Sequence, residues 1–270
     1  MAAKGMPKVI AVSSGKGGVG KTNFVVNLAT YISSLKKKVL IIDADLGLAN
    51  IDVLFGITPK FNLKHVLLGD KRLSEIIVNG PNGIMILPAS SGVKELTNLN
   101  NFQKIQMLSE IEGLDLPVDL ILIDTGAGIS DNVLFFCGSA QETIVIVTSE
   151  PTSLADAYAL IKILSRDFGK DRFKVLVNMT RSEKEALSTF RKLAIVADKF
   201  LNLNIDYLGH LPYEQHVKDA IIAQKSFITL YPNSPFAKKL SILAERVMDI
   251  EPHDSAGGLQ LFFRKALRVG

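Results

Sequence analysis

Gly15, Lys16, Gly17, Gly18, Val19, Gly20, Lys21 and Thr22 match G-x-x-x-x-G-K-[ST] in full, and their setting constrains the fold more than any other feature of the chain. The apolar, β-branched run KVIAVS stands just before them at 8–13, and a helical pattern begins near Lys21. A strand that enters a glycine-rich turn and leaves as a helix aims consecutive backbone N–H groups at one centre, where the helix dipole adds positive charge. Such a loop binds a polyphosphate by main chain. By the mechanics of the motif, Lys21 reaches the β and γ phosphates and the Thr22 hydroxyl ligates Mg2+. Four glycines and a Lys-Thr pair have no packing purpose at a plain strand-to-helix connection.

Further apolar runs follow at 38–43, 83–88, 118–124, 142–149, 172–178 and 205–211. Helical patterns lie between or after them at 21–35, 132–140, 153–168, 182–201 and 216–223. Continuous apolar strands separated by helices predict an α/β P-loop fold, with a mostly parallel central sheet of about seven or eight strands and helices on both faces. A length of 270 residues fits one such domain, expected over 1–250. Residues 251–258, with Pro252, Ser255, Gly257 and Gly258, read as a flexible linker to a tail at 259–270.

Hydrophobic residues are 47% and charged residues 21% of the chain, which suits a folded globular body. Cys137 is the single cysteine, so one chain forms neither a disulfide nor a cysteine-based metal or iron–sulfur site. That suits the cytosol. The first seven residues are too short and polar for a signal peptide, and no apolar run reaches the roughly 20 residues of a spanning helix. The net charge is +4, and removing the acid-free tail leaves 28 basic against 27 acidic side chains. A near-neutral body argues against general nucleic-acid binding.

Carboxylates mark the ends of two strands. Asp43 and Asp45 lie in IIDADLGLANID, and Asp124 lies in LILIDTGAG. Ligands of open α/β sheets bind beyond these strand ends. Burying an unpaired carboxylate is costly, so all three are expected at the sheet edge, facing a cation or water. Gly126 and Gly128 permit a backbone that shifts with the state of the γ phosphate.

Lys16 departs from an ordinary phosphate loop, and here the chain resembles the deviant Walker A family of MinD/ParA-type ATPases, whose K-G-G-x-G-K-[ST] pattern it carries at 16–22. The resemblance implies ATP and ADP with Mg2+ as ligands, and a slow, partner-stimulated ATP hydrolase. It implies that Lys16 reaches the nucleotide of the opposite subunit in an ATP-dependent homodimer. Lys16, Lys21 and Asp45 then form the catalytic set. Asp45 resembles the switch I aspartate that orients the attacking water, and Asp124 the switch II aspartate that holds Mg2+ through water. With Thr22 they make up the metal surroundings, and Asp43 supports them. Asn178, Arg181 and Pro212 resemble the residues flanking adenine.

Within that family, iron–sulfur carriers need cysteine pairs and tyrosine-kinase relatives a tyrosine-rich tail, whereas the last tyrosine here is Tyr231. DADLGLANID, DTGAGISDN and SEPTSLADAYALIK look most like the flagellar number regulators. Division-site selectors usually carry proline at the position of Gly126, and DNA-partition ATPases are the other alternative. The resemblance implies flagellar assembly partners, among them a signal-recognition-type GTPase and switch, C-ring or regulator proteins. The segment that stimulates that GTPase often contains glutamine, and the seven residues before Lys8 contain none.

The tail supplies a last expectation. At 100° per residue, Leu259, Phe262, Phe263 and Leu267 fall on one arc, with Arg264, Lys265 and Arg268 opposite. That pattern describes a helix lying in an anionic lipid surface. The chain is then expected in the cytoplasm, peripherally bound to the inner face of the cell membrane. One short helix binds weakly; two in a dimer bind by avidity.

Overall fold

The computed structural model describes residues 7–89, 98–114 and 116–251, and contains eight strands. They are β1 (Lys8–Ser14), β2 (Val39–Ala44), β3 (Val78–Asn79), β4 (Met85–Leu87), β5 (Leu120–Ala127), β6 (Glu142–Val147), β7 (Lys174–Thr180) and β8 (Asp206–Pro212). All join one sheet in the order β3-β4-β2-β5-β1-β6-β7-β8, and every pairing is parallel except that of β3 with β4. The expected mostly parallel sheet is present. β3 was not expected: two residues give no periodicity to read.

The helices are α1 (Lys21–Ser34), α2 (Ile51–Phe55), α3 (Leu63–Leu67), α4 (Leu73–Ile76), α5 (Asn101–Glu112), α6 (Asp131–Ser139), α7 (Pro151–Phe168), α8 (Glu183–Leu201), α9 (Val217–Ile222), α10 (Phe227–Leu230) and α11 (Pro235–Met248). Alternation along the strands divides the core into two layers. Val9 and Ala11 face one layer with Met107 of α5, Phe136 of α6, Leu160 of α7 and Ala186 of α8. Ile10 and Val12 face the other with Phe24 of α1, Phe227 of α10 and Leu240 of α11. β1, β2 and β6 are buried along their full length, which is why they read as unbroken apolar runs.

Five helices fall near their expected positions. The other six, α2, α3, α4, α5, α10 and α11, lie outside the expected patterns, although the two long ones, α5 and α11, carry start signals. Asn100 accepts from the Gln103 amide and its own amide is capped by the Gln103 side chain; Ser234 accepts from the Ala237 amide ahead of Pro235.

The two outer edges are irregular. β3 covers β4 for two residues. β8 carries a bulge at Leu208, where its register to β7 jumps from Tyr207 to Gly209, and Arg246 Nη1 donates to the Leu208 carbonyl at 2.7 Å. The linker and tail, with Leu259, Phe262, Phe263 and Leu267, lie outside the described residues apart from Glu251. Among the described residues no helix is long and apolar enough to cross a membrane.

Candidate functional site

β1 is central, with β5 on one side and β6 on the other, so the loop leaving it opens onto the middle of the sheet's C-terminal edge. Residues 17–22 wrap one wall of a cavity of about 590 Å3. Gly18 and Gly20 have φ of 78° and 87°, the left-handed region where a side chain is strained. Gly15 is required for another reason: a Cβ there would lie 2.1 Å from the Asp156 backbone carbon, so the loop rests directly on α7.

Lys21 and Asp124 meet in the floor. Lys21 Nζ lies 3.2 Å from Asp124 Oδ1, with both residues buried. Burial pushes the Asp124 carboxyl up, while Lys21 and the nearby Thr22 hydroxyl pull it back. Lys21, Thr22 and Asp124 therefore converge where the motif's mechanics put phosphate and Mg2+. Asp45 lines the same cavity, with Oδ1 accepting from the Leu48 amide at 3.1 Å and its carboxyl packed close to Gly126. Among the described residues no cluster of three His, Cys, Asp or Glu side chains forms a metal cage. Mg2+ keeps several waters and takes its other oxygens from phosphates and one or two side chains. Thr22 would supply one such oxygen, and Asp124 would act through water.

The expectation that all three aspartates face a cation or water is corrected for Asp43. Asp43 and Asp124 are register partners on β2 and β5, each 1% exposed and on the same face of the sheet. Asp124 finds Lys21. Asp43 instead accepts from the backbone amides of Asp45, Asn50 and Ile51 at 3.2, 3.3 and 3.4 Å. Burial, then the Asp124 charge, raise its carboxyl well above the ordinary range. Asp43 thus ties the loop carrying Asp45 back onto the sheet.

The other expected residues are spread along the same edge. Lys16 projects outward and bonds Glu150 and Thr152 at the start of α7. Asn178, in the C-terminal half of β7, is buried and donates through Nδ2 to the Val19 carbonyl at 2.8 Å, so it braces the phosphate loop from outside. Arg181 is exposed just beyond β7, and Pro212 ends β8 as the register partner of Thr180. These three do not line the cavity. Gly126 lines it, and Gly128, with φ 88°, donates its amide to the Ser14 carbonyl, joining the β5 loop to the end of β1.

Leu48 and Glu150 were not anticipated. Leu48 lines the cavity and is 71% exposed, an apolar side chain held outward between Gly47 and Asn50. An exposed leucine in a glycine-containing loop was the available signal. Glu150 precedes Pro151, a helix-start residue, and was readable only as a cap. Cys137 is buried and its thiol is pushed up to about 11 by burial, which leaves it unreactive.

A family model described as ParA, NUBPL iron-transfer P-loop NTPase, matches residues 5–248. The antiactivator FleN of Pseudomonas aeruginosa is 40% identical over 262 residues, covering 97% of this chain and 94% of its own. The flagellum site-determining protein YlxH of Helicobacter pylori is 33% identical and covers 98% of this chain and 91% of its own. Among solved structures, a chain of the Aquifex aeolicus MinC–MinD cell-division protein complex is 26% identical with a TM-score of 0.75, covering 93% of this chain and 99% of its own. The Pyrococcus horikoshii septum site-determining protein MinD complexed with Mg-ADP superposes with the same TM-score at 24% identity, covering 90% and 96%. The iron-transfer part of the family description has no counterpart in the residues here, since Cys137 stands alone and buried.

Proposed function

Because the chain belongs to the MinD/ParA-type family of P-loop ATPases, we propose that it is a Mg-ATP switch regulating the number or placement of flagella. ATP binding pairs two copies and favours attachment to the inner membrane surface, and hydrolysis reverses both. The observation that carries the catalytic half is the meeting of Lys21, Thr22 and Asp124 beneath the phosphate loop, with Asp45 in the same cavity. Thr22 and, through water, Asp124 would hold Mg2+, which would supply neutralisation of phosphate charge. Lys21 neutralises phosphate charge, and Asp45 holds and orients a water. Asp43 fixes the backbone that carries Asp45.

The flagellar reading is supported by the two named relatives, and the membrane reading by the amphipathic pattern of 259–270. Asn178, Arg181 and Pro212 are assigned to the adenine side. Asn178 has one amide hydrogen and Oδ1 left for a base after its bond to Val19. Partners of the switch are a second copy, anionic lipid and flagellar assembly proteins.

Phosphate release with and without Mg2+, combined with sedimentation onto anionic vesicles in ATP and in ADP, tests the reading. Turnover that needs Mg2+ and sedimentation favoured by ATP are expected. Equal sedimentation in both nucleotides would remove the switch.

A further inference from the structure

A second cavity, of about 430 Å3, opens at the opposite end of the sheet. Glu142, Arg172, Lys174, Arg246 and Asp249 line it, with Glu251 beside them. Glu142 begins β6 and Lys174 begins β7, so its floor is the N-terminal edge of the central strands. At about 3.3 Å per residue, the length of β1 puts it roughly 20 Å from the phosphate loop.

Glu142 is 2% exposed, and its Oε2 has no hydrogen-bond partner. A buried carboxylate oxygen left in that state is costly unless a donor reaches it. Burial pushes the carboxyl up, against the pull of Lys174, Arg172 and Lys170. Several surrounding cations are directed to other atoms. Lys8 Nζ donates to the Val247 and Met248 carbonyls at 3.2 and 2.5 Å, and Lys170 Nζ to the Ala140 carbonyl. Lys174 pairs with Asp206 at 3.2 Å, and Arg246 directs one N–H to Leu208. Arg172 and the rest of the Arg246 guanidinium remain beside the cavity.

A ligand that completes this site must bring a donor to Glu142 and negative charge to the two arginines and Lys174. A protonated phosphate group does both. Its P–O–H donates to the carboxylate, and its other oxygens accept from guanidinium and ammonium groups. Sulfate carries no proton near neutrality, so it would set an oxyanion against Glu142, with Asp249 and Glu251 adding to the repulsion. We propose that this cavity is a second anion site, selective for a protonated phosphate group, whether inorganic phosphate or the phosphomonoester headgroup of a lipid.

Calorimetric titration of the full chain decides the question when the phosphate loop is first filled with Mg2+ and a non-hydrolysable ATP analogue. Inorganic phosphate is expected to bind at least about tenfold more tightly than sulfate near pH 7. Arg172→Ala, at an exposed position, weakens phosphate by about tenfold without changing the melting temperature. Glu142→Gln, which offers an N–H to either anion, brings the two affinities together. Sedimentation with phosphatidylcholine vesicles carrying phosphatidic acid or phosphatidylglycerol separates the sources. A preference for phosphatidic acid that Arg172→Ala abolishes assigns the lipid headgroup. The same titration result with no such preference assigns the free ion. Absence of both phosphate binding and phosphatidic acid preference overturns the site, as does phosphate binding that neither variant alters.

Discussion

Lys16 is held within its own chain: its Nζ lies 2.5 Å from Glu150 Oε2, at the residue preceding α7. A lysine that crosses to a second subunit has to leave this partner first. The pair is exposed, so its contribution is limited to about 0.2–1 kcal/mol. Glu150→Gln is expected to lower the ATP concentration for half-maximal dimerisation by up to about fivefold. Lys16→Ala stays monomeric with ATP and with ADP, as light scattering on gel-filtered samples would record. A Lys16→Ala protein that dimerises with ATP removes the crossing lysine.

Lys21→Ala abolishes turnover and also weakens the fold. The substitution leaves the Asp124 carboxylate buried beside an empty position, and breaking a buried pair this way costs about 3–5 kcal/mol. Adding Asp124→Asn to that variant recovers part of the loss, because the stranded charge is gone, while activity stays absent. Urea denaturation of the nucleotide-free proteins measures this. Equal stability of single and double variants would mean that water already reaches Asp124.

Asp45→Ala keeps ATP affinity and loses hydrolysis by about two orders of magnitude or more, since a water-orienting group acts in the transition state more than in binding. Calorimetric affinity set against single-turnover phosphate release separates the two. Parallel losses would reassign Asp45 to ligand binding.

Glu142→Gln stabilises the protein in a pH-dependent way. Burial raises the folded-state Glu142 carboxyl above its ordinary value of 4.5. Below that value both states are protonated and the residue's stability contribution is full. It is lost as pH rises through the raised folded value, because the unfolded chain ionises more readily. The melting-temperature gain of Glu142→Gln in phosphate-free buffer is therefore small near pH 4 and larger at pH 8. A gain independent of pH would show a packing effect instead.

The phosphate loop was fully readable because its glycines and Lys-Thr pair serve one geometry, and the central strands because burial on both faces makes them continuously apolar. Asp43 was misjudged for a physical reason. A carboxylate after four apolar residues reads as exposed or cation-bound, yet three backbone amides from a loop at 45–51 meet it inside. Those donors belong to tertiary geometry and leave no trace in spacing. Lys16 and Glu150 are separated by 134 residues, and the pairing of β1 with β6 and the seating of Gly15 on α7 bring them together. α11 is a different case: Ser234 and Pro235 announce it, and Leu240, Ala244 and Val247 give it an apolar stripe, so its signals are local ones.

The irregular borders of the sheet bear on how the molecule behaves in a crowd. An unpaired, straight strand is a template on which another chain can lay its own backbone. Here one border is two residues of β3, and the other is bent at Leu208, with Arg246 occupying the carbonyl a visiting strand would need. Pro212 closes that strand without an N–H to offer. Both borders therefore disfavour edge-to-edge joining of sheets, and the pairing of two copies proposed above falls to the loop end of the sheet.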